Sequence, residues 1–277
     1  MNYRHAYHAG NFGDCLKQAL LTWLVSRLQQ KERPIAVLDT HAGAGAYDLA
    51  GPEAARSGEW QEGIGRLLAD PPVALASYVA LVKDILAEPG GAYPGCALLV
   101  RRLLRAQDRL ICCELHPEEY ALLKARFAAD PQVAVHHRNG WDALRALLPT
   151  EPRRGLLLID PPYERPGEFE RVAAGLGIAH ARFPGGVLAA WYPIKHRAPV
   201  RAFHEVLAAN RLPEVLAAEL YLREPTDPTR LNGAGMVIVR PPYEFGPAAR
   251  AILDALAERL GHGELGGGAA LLRVRDG

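Results

Sequence analysis

The chain is poor in the residues that build covalent or metal frameworks. Among 277 residues there are only four cysteines and two methionines. Cys15, Cys96, Cys112 and Cys113 form no C-x-x-C pair, and Cys112-Cys113 lie inside an apolar, strand-like run. That pattern predicts buried free thiols rather than disulfides or a zinc site. No apolar run reaches the roughly 18 residues of a bilayer span. The opening residues Met1-Asn2-Tyr3-Arg4-His5 lack the apolar stretch of a secretory signal. The expectation is a soluble, cytoplasmic protein with no membrane partner. A dominant charge sign is lacking as well: 32 Lys+Arg face 31 Asp+Glu, a formal net charge of +1. Any contact with a polyanion must therefore rest on local clusters, such as Arg101, Arg102 and Arg105, Arg153-Arg154, or Lys195, His196, Arg197 and Arg201.

What the chain does have is a hydrophobic content of 49%, enough for the core of one large α/β domain or one domain with a small insertion. Leu16, Ala19, Leu20, Trp23, Leu24 and Leu28 recur at three- and four-residue steps, which predicts a helix over 12–30 with one buried face. Short apolar runs follow at 34–40, 110–113, 133–136, 155–159 and 186–191, separated by helical patterns at 120–128, 141–148 and 168–175. Strands buried on both faces and alternating with helices predict a parallel, doubly wound sheet. Residues 215–222 and 236–240 read as two further strands with no room between them for a crossover helix, so they should pair antiparallel. Residues 261–268 read as a glycine-rich loop.

The first strand runs into His41-Ala42-Gly43-Ala44-Gly45, and the second ends at Glu114. Glycines in such a turn let the backbone approach a ligand, and an acid ending the next strand accepts hydrogen bonds from ribose hydroxyls. Asn139, after the third strand, is placed to bond an adenine ring. A dinucleotide site fits badly. The third glycine of G-x-G-x-x-G is missing, and Glu114 stands 69 residues after Gly45, where a simple βαβ unit places its acid about 20 residues on. The gap instead predicts a small, mainly helical subdomain over 51–99, inserted into a Rossmann-like domain formed by 1–50 and 100–277, and forming one wall of a substrate cleft.

Asp160-Pro161-Pro162-Tyr163 closes the fourth strand. An exocyclic amino group is a poor nucleophile because its lone pair is delocalised into the ring. If Asp160 and the Pro161 carbonyl both accept its hydrogens, the nitrogen is drawn toward tetrahedral geometry and the lone pair becomes available. Proline has no backbone N–H, so this segment presents acceptors, and Tyr163 offers a face for a base to stack on. In its place after a glycine turn and an acid-terminated strand, the motif points to methyl transfer from S-adenosyl-L-methionine, leaving S-adenosyl-L-homocysteine. Pro241-Pro242-Tyr243 lacks the acid, since Arg240 precedes it, and reads as structural.

With these residues in place, the chain resembles the RlmJ family of bacterial 23S rRNA adenine-N6 methyltransferases. The stretches that carry the resemblance are Tyr3 to Asn11 with Asp14 and Leu16-Lys17, Leu38 to Gly45, Tyr93-Pro94-Gly95, Glu114 to Pro117, Ile159 to Glu164 and Trp191-Tyr192-Pro193. The resemblance implies a class I methyltransferase fold, a parallel sheet ending in an antiparallel hairpin, with the inserted helical subdomain. It implies an N-terminal segment that folds over the cofactor, with Tyr3 and His5 reaching toward the target adenine. Lys17 would stand near the active centre, and Asp160 would be catalytic. Cofactor contacts would come from Gln18, His41, Cys96, Glu114, Asn139-Gly140 and Asp160. Gln18, Cys96 and Asn139 depart from the histidine, serine and aspartate common in the family. The implied partner is 23S rRNA, protein-free or early in assembly, met by a monomer. His5 and His8 share an H-x-x-H spacing, but two ligands are too few for a metal site. Two alternatives compete: a DNA adenine-N6 methyltransferase, and a non-catalytic RNA-binding module on the same fold.

Overall fold

The computed structural model describes residues 4–261 and 263–277. After a short 3₁₀ turn, α1 (Phe12–Gln29) begins where the Asn11 side chain accepts the Asp14 backbone N–H, an N-cap that fixes the start of the helix. Strand β1 (Ala36–Asp39) follows. Next come β2 (Ala46–Tyr47), α2 (Pro52–Ser57), a π turn at Gln61–Gly65 running into α3 (Arg66–Ala69), α4 (Ala76–Leu86), β3 (Tyr93–Pro94) and α5 (Cys96–Leu103). The regular alternation then resumes with β4 (Arg109–Glu114), α6 (Pro117–Arg126), β5 (Val133–His137), α7 (Gly140–Ala146), β6 (Gly155–Ile159), α8 (Glu168–Arg182) and β7 (Val187–Ile194). The chain closes with α9 (Arg197–Ala209), β8 (Val215–Tyr221), β9 (Gly233–Val239), α10 (Phe245–Leu260) and β10 (Gly268–Arg275).

The eight-stranded sheet has the order β10-β8-β9-β7-β6-β1-β4-β5. Strands β5, β4, β1, β6 and β7 run parallel to their neighbours, and β9 pairs antiparallel with both β7 and β8. The expected hairpin is therefore present, with its second strand slotted between the first and the parallel sheet. Strand β10 then pairs antiparallel with β8 and forms the edge. One core lies between the sheet and α1, α4, α5 and α10, and the other between the sheet and α7, α8 and α9.

Three expectations need correction. The third strand, β5, is not buried on both faces: it is the opposite edge of the sheet, and its residues are half-buried or exposed. Helix α1 has no solvent-facing side over its first turns, because β9, α5, α10 and the π turn surround it, and 13 of its residues are buried. Strand β10 and the helices α9 and α10 went unmarked in the sequence reading.

Between β1 and β4, the segment that departs from a simple crossover is anchored at its base by the two-stranded β2–β3 ribbon. Tyr78, Val79 and Val82 of α4 join Leu16 and Leu20 of α1 in one core, so the segment is fused to the sheet domain. The strand order reverses between β1, which leads to β4 and β5, and β6, which leads to β7 and β9. In open α/β sheets that switch point, at the carboxyl ends of the strands, is where ligands bind. Asp39 pairs in register with Leu158 and Cys112, so the ends of β1, β6 and β4 open onto one level.

Candidate active site

A cavity of about 970 Å³ opens at that level. The ends of the parallel strands supply its floor: Thr40, His41 and Gly43 after β1, Glu114 after β4, Asn139 and Gly140 after β5, and Asp160 to Tyr163 after β6. Trp191 and Pro193 of β7 contribute one side, and His5, His8, Asn11, Asp14 and Lys17 another. The 51–99 segment contributes Glu59, Gly95 and Cys96.

The turn after β1 is shaped by what its glycines lack. Gly43 has φ +60°, and a Cβ there would stand 2.2 Å from the Tyr47 hydroxyl. Its N–H donates to Glu114 Oε2 at 2.8 Å, and the His116 N–H donates to Oε1 at 2.7 Å, which fixes that carboxylate at the cavity wall. A Cβ on Gly140 would meet the Thr40 carbonyl at 2.3 Å, so β5 can approach the turn only through glycine. Asn139 caps α7, its Oδ1 accepting from the Trp141 N–H at 3.0 Å. Thr40 Oγ1 donates to the Leu158 carbonyl at 2.9 Å and lies 2.8 Å from His41 Nδ1. With the hydroxyl proton so committed, Nδ1 carries the ring proton and Nε2 is left as an acceptor. Burial pushes the His41 pKa down to about 4, so the ring is neutral at physiological pH.

The acid end of the cavity is a buried chain of charges. Lys17 Nζ stands 2.6 Å from Asp160 Oδ2 and 2.9 Å from Asp14 Oδ1, and lies over the Trp191 ring. Burial opposes the lysine's charge, but Asp14 and Asp160 more than offset it and hold the ammonium pKa well above its ordinary value. Asp14 Oδ2 accepts from the Gly10 N–H at 3.0 Å and lies 2.9 Å from His5 Nε2. Burial penalises the Asp14 carboxylate too, yet His5 and Lys17 drive its pKa far below the usual range. Tyr163 adopts φ 51°, in the left-handed region that a bulky side chain rarely enters. Its hydroxyl donates to the Trp191 carbonyl at 2.8 Å, and its ring meets Phe169 and Trp191. Those contacts hold the strained backbone in place at the cavity wall.

Most of the residues singled out from the sequence thus line one cavity: His5, Lys17, His41, Gly43, Cys96, Glu114, Asn139, Gly140, Asp160, Pro161 and Tyr163. Tyr3 lies outside the described residues. Two others stand behind the wall. Gln18 is fully buried, donating to the Pro94 carbonyl at 2.8 Å and accepting from the Tyr93 hydroxyl at 3.0 Å, so both ends of its amide are taken by the β3 ribbon. Gly45, with φ +80°, faces Leu123 of α6, and its carbonyl accepts the Gly95 N–H at 2.9 Å. Both residues shape the turn that carries Gly43 and Cys96.

Sequence reasoning missed Asp14, Asp39, Glu59 and Trp191 as site residues. Asp14 and Lys17 do share a helix face at i,i+3, and Asp39 ends β1 as Glu114 ends β4, so both left a signal. Trp191 stood only among the stretches that carry the family resemblance, and Glu59 left no signal. The residues present suit S-adenosylmethionine. Trp191 Nε1 and Glu119 Oε2 are buried without a hydrogen-bond partner among the described residues, and a polar ligand would satisfy them. Asp14, Glu59, Glu114, Glu119 and Asp160 give the wall an acidic character that favours a cationic sulfonium.

A doubly wound sheet finished by the antiparallel β9, with a glycine turn and an acid after successive strands, has the fold outline of a class I methyltransferase. The family profile described as "Ribosomal RNA large subunit methyltransferase D, RlmJ" matches residues 32–272. Two relatives, each named ribosomal RNA large subunit methyltransferase J, are 37% identical to this chain. The one from Escherichia coli K12 aligns over 265 residues and the one from Haemophilus influenzae over 266, covering 94% of this chain and 94% of each relative. A protein of known structure from Legionella pneumophila matches with a TM-score of 0.85 at 33% identity, over 96% of this chain and 97% of that one. The chain belongs to the RlmJ family of ribosomal RNA large subunit methyltransferases.

Proposed function

We propose that this protein transfers the methyl group of S-adenosylmethionine to the exocyclic N6 of an adenine in 23S ribosomal RNA. One observation carries the reading: Asp160 and Pro161 line the same cavity as Gly43 and Glu114. Acceptors for an amine and groups suited to a nucleoside donor thus share one chamber.

The bound cofactor supplies an electrophilic methyl on a sulfonium. Glu114 accepts from ribose hydroxyls, while the glycine approach at Gly43 and Gly140 leaves room for the nucleoside. Asp160 has one oxygen held by Lys17 and the other, Oδ1, without a hydrogen bond from the described residues. Oδ1 and the Pro161 carbonyl accept the two amino hydrogens and free the lone pair for in-line attack. Tyr163 stacks on the base. Lys17 stays charged beside two carboxylates and cannot take the proton that the amine sheds, which leaves Asp160 as the nearest acceptor. Chemistry of this kind rests on alignment, which contributes on the order of 7–11 kcal/mol in well-oriented systems. Residues 51–99 serve as the helical wall of the cleft, and Glu59 holds the N-terminal segment across its mouth. A cavity reached only at the strand ends suits an adenine turned out of its stack, as in RNA that is protein-free or early in assembly. The DNA alternative has less support. The named relatives are ribosomal RNA large subunit methyltransferases.

The test is methylation of protein-free 23S rRNA, mapped to the nucleotide, by wild type and Asp160→Ala. Removing Asp160 leaves Lys17 paired with Asp14, so the fold should hold, with cofactor binding within a few-fold and turnover down by about 10²-fold or more. Comparable turnover by the variant, or methylation of duplex DNA alone, would overturn the proposal.

A further inference from the structure

Asp14 is the junction of the buried charges. Both of its oxygens are engaged: Oδ1 by Lys17 at 2.9 Å, Oδ2 by the Gly10 N–H at 3.0 Å and by His5 at 2.9 Å. Its backbone N–H is held by Asn11 Oδ1, and Asn11 Nδ2 donates to Glu59 of the 51–99 segment at 2.9 Å. Three parts of the molecule meet there: the N-terminal segment through His5, the cleft wall through Asn11 and Glu59, and the carboxylate of the Asp-Pro-Pro-Tyr turn through Lys17. His5 also packs on Tyr47, whose hydroxyl lies beside Gly43. His5 is thus tied at once to the acid end and to the glycine turn.

A lysine held only by Asp160 would be free to swing toward either of its oxygens. Held also by Asp14, its ammonium is confined to the Oδ2 side. We infer that Asp14 is a positioning residue for methyl transfer: it fixes Lys17 against one oxygen of Asp160, keeps the other for the amine, and makes this arrangement depend on His5 being docked. The inference rests on the proposed methyl transfer and adds to it a coupling between the segment that covers the site and the group that grips the substrate.

The consequence is specific. His5 reaches this arrangement through Asp14, so the loss from removing His5 should be contained in the loss from removing Asp14, and removing both should add nothing to it. In single-turnover methylation of protein-free 23S rRNA at saturating cofactor, His5→Gln and Asp14→Asn should each slow transfer by about tenfold, and the double variant should be no slower than the worse single. Cofactor Kd should stay within about twofold throughout. Losses that multiply, or an Asp14→Asn enzyme at wild-type rate, overturn the inference.

The pH profile gives a readout that a merely structural role would not move. The groups facing Lys17 are Asp14 on its own helix, Asp160 after β6, Asp39 at the end of β1 and the Cys96 thiol of α5. Without Asp14, burial is opposed chiefly by Asp160, and Lys17 loses its proton at a lower pH. The alkaline fall in rate should therefore set in at a lower pH for Asp14→Asn than for wild type. Parallel profiles overturn the inference. If Asp14→Asn does not fold, Asp14→Glu, which keeps the charge but displaces it by one methylene, takes its place, and a wild-type rate there is equally fatal. Wild-type turnover on the same RNA separates the two levels: its absence overturns the proposed function, whereas turnover with independent losses overturns only the role of Asp14.

Discussion

Asp39 ends β1 with almost no exposure, its Oδ1 accepting the His41 N–H at 3.1 Å. Burial, reinforced by the charges of Asp160 and Glu114, pushes its pKa up to about 7 from an ordinary 3.8, against the His41 N–H and Lys17. Between those values the folded protein keeps a proton that the unfolded chain has released. The resulting stability is complete below 3.8 and is lost as pH rises through 7. Asp39→Asn, neutral at every pH and still presenting an oxygen to His41, should match wild type near pH 4. At pH 8 it should exceed wild type by on the order of 1–3 kcal/mol. Urea melts at the two pH values check this, and a difference independent of pH would refute it. Residue types were the most legible part of the site. Glycine, acid and Asp-Pro-Pro-Tyr each announce a backbone or charge requirement that does not depend on distant packing. Gln18 shows the limit: its amide is used up by Pro94 and Tyr93, 76 and 75 residues away, and local sequence holds no trace of that.

At the scale of single elements, α1 does most of the positioning, since it carries Asp14 and Lys17 and begins at the Asn11 cap. Asn11→Ala removes both the cap and the bond to Glu59, and should lower stability by about 1–2 kcal/mol in thermal or urea unfolding. It should also weaken the hold on Asp14. An unchanged midpoint would mean that the cap is replaced by water. The elements legible in the sequence were those with an unambiguous period, namely the parallel strands and their helices. Strand β10 was missed because its burial does not alternate: it is a partly covered edge whose Leu272 and Arg273 are exposed. Helix α10 begins at Phe245, behind the N-cap Glu244 with φ 67° and shortly after Pro241-Pro242, and that proline pair masks the start of the apolar spacing behind it. Strand β5 read as buried because Val133-Ala134-Val135 is apolar, yet only tertiary placement decides which strand becomes an edge.

At the scale of the whole molecule, the segment before α1 is tied to the stretch between β2 and β3. Glu59 accepts from Asn11 and lies 3.0 Å from His8 Nδ1, Ser57 donates to the Tyr7 carbonyl, and the Ile64 N–H donates to the Gly10 carbonyl at 2.8 Å. The hydrogen bond to Glu59 raises the His8 pKa above its ordinary 6.5. The contribution of this pair is therefore complete below that value and is lost as pH rises through the raised one. Glu59→Gln should speed hydrogen exchange over residues 5–11 by about threefold at most, because the pair is half-exposed and screened. The effect should be larger at pH 6 than at pH 9, and no change at either pH would remove Glu59 from this part. The gap in spacing showed that the stretch between β1 and β4 departs from a simple crossover, but its packing on α1 was not legible, since that depends on which face α4 presents.

The depth at which α1 is buried has a consequence for how the chain is made. Its covering surfaces, β9 and α10, come from the last third of the polypeptide, with Trp23 edge-on to Phe245 across 222 residues of sequence. During synthesis the first helix emerges early, and the part of its surface that β9 and α10 cover stays open until translation has passed Leu260. Such an intermediate offers adhesive surface for most of the elongation time, so the newborn chain depends on chaperone shelter or on speed at its far end, and truncations upstream of α10 should fall into aggregates.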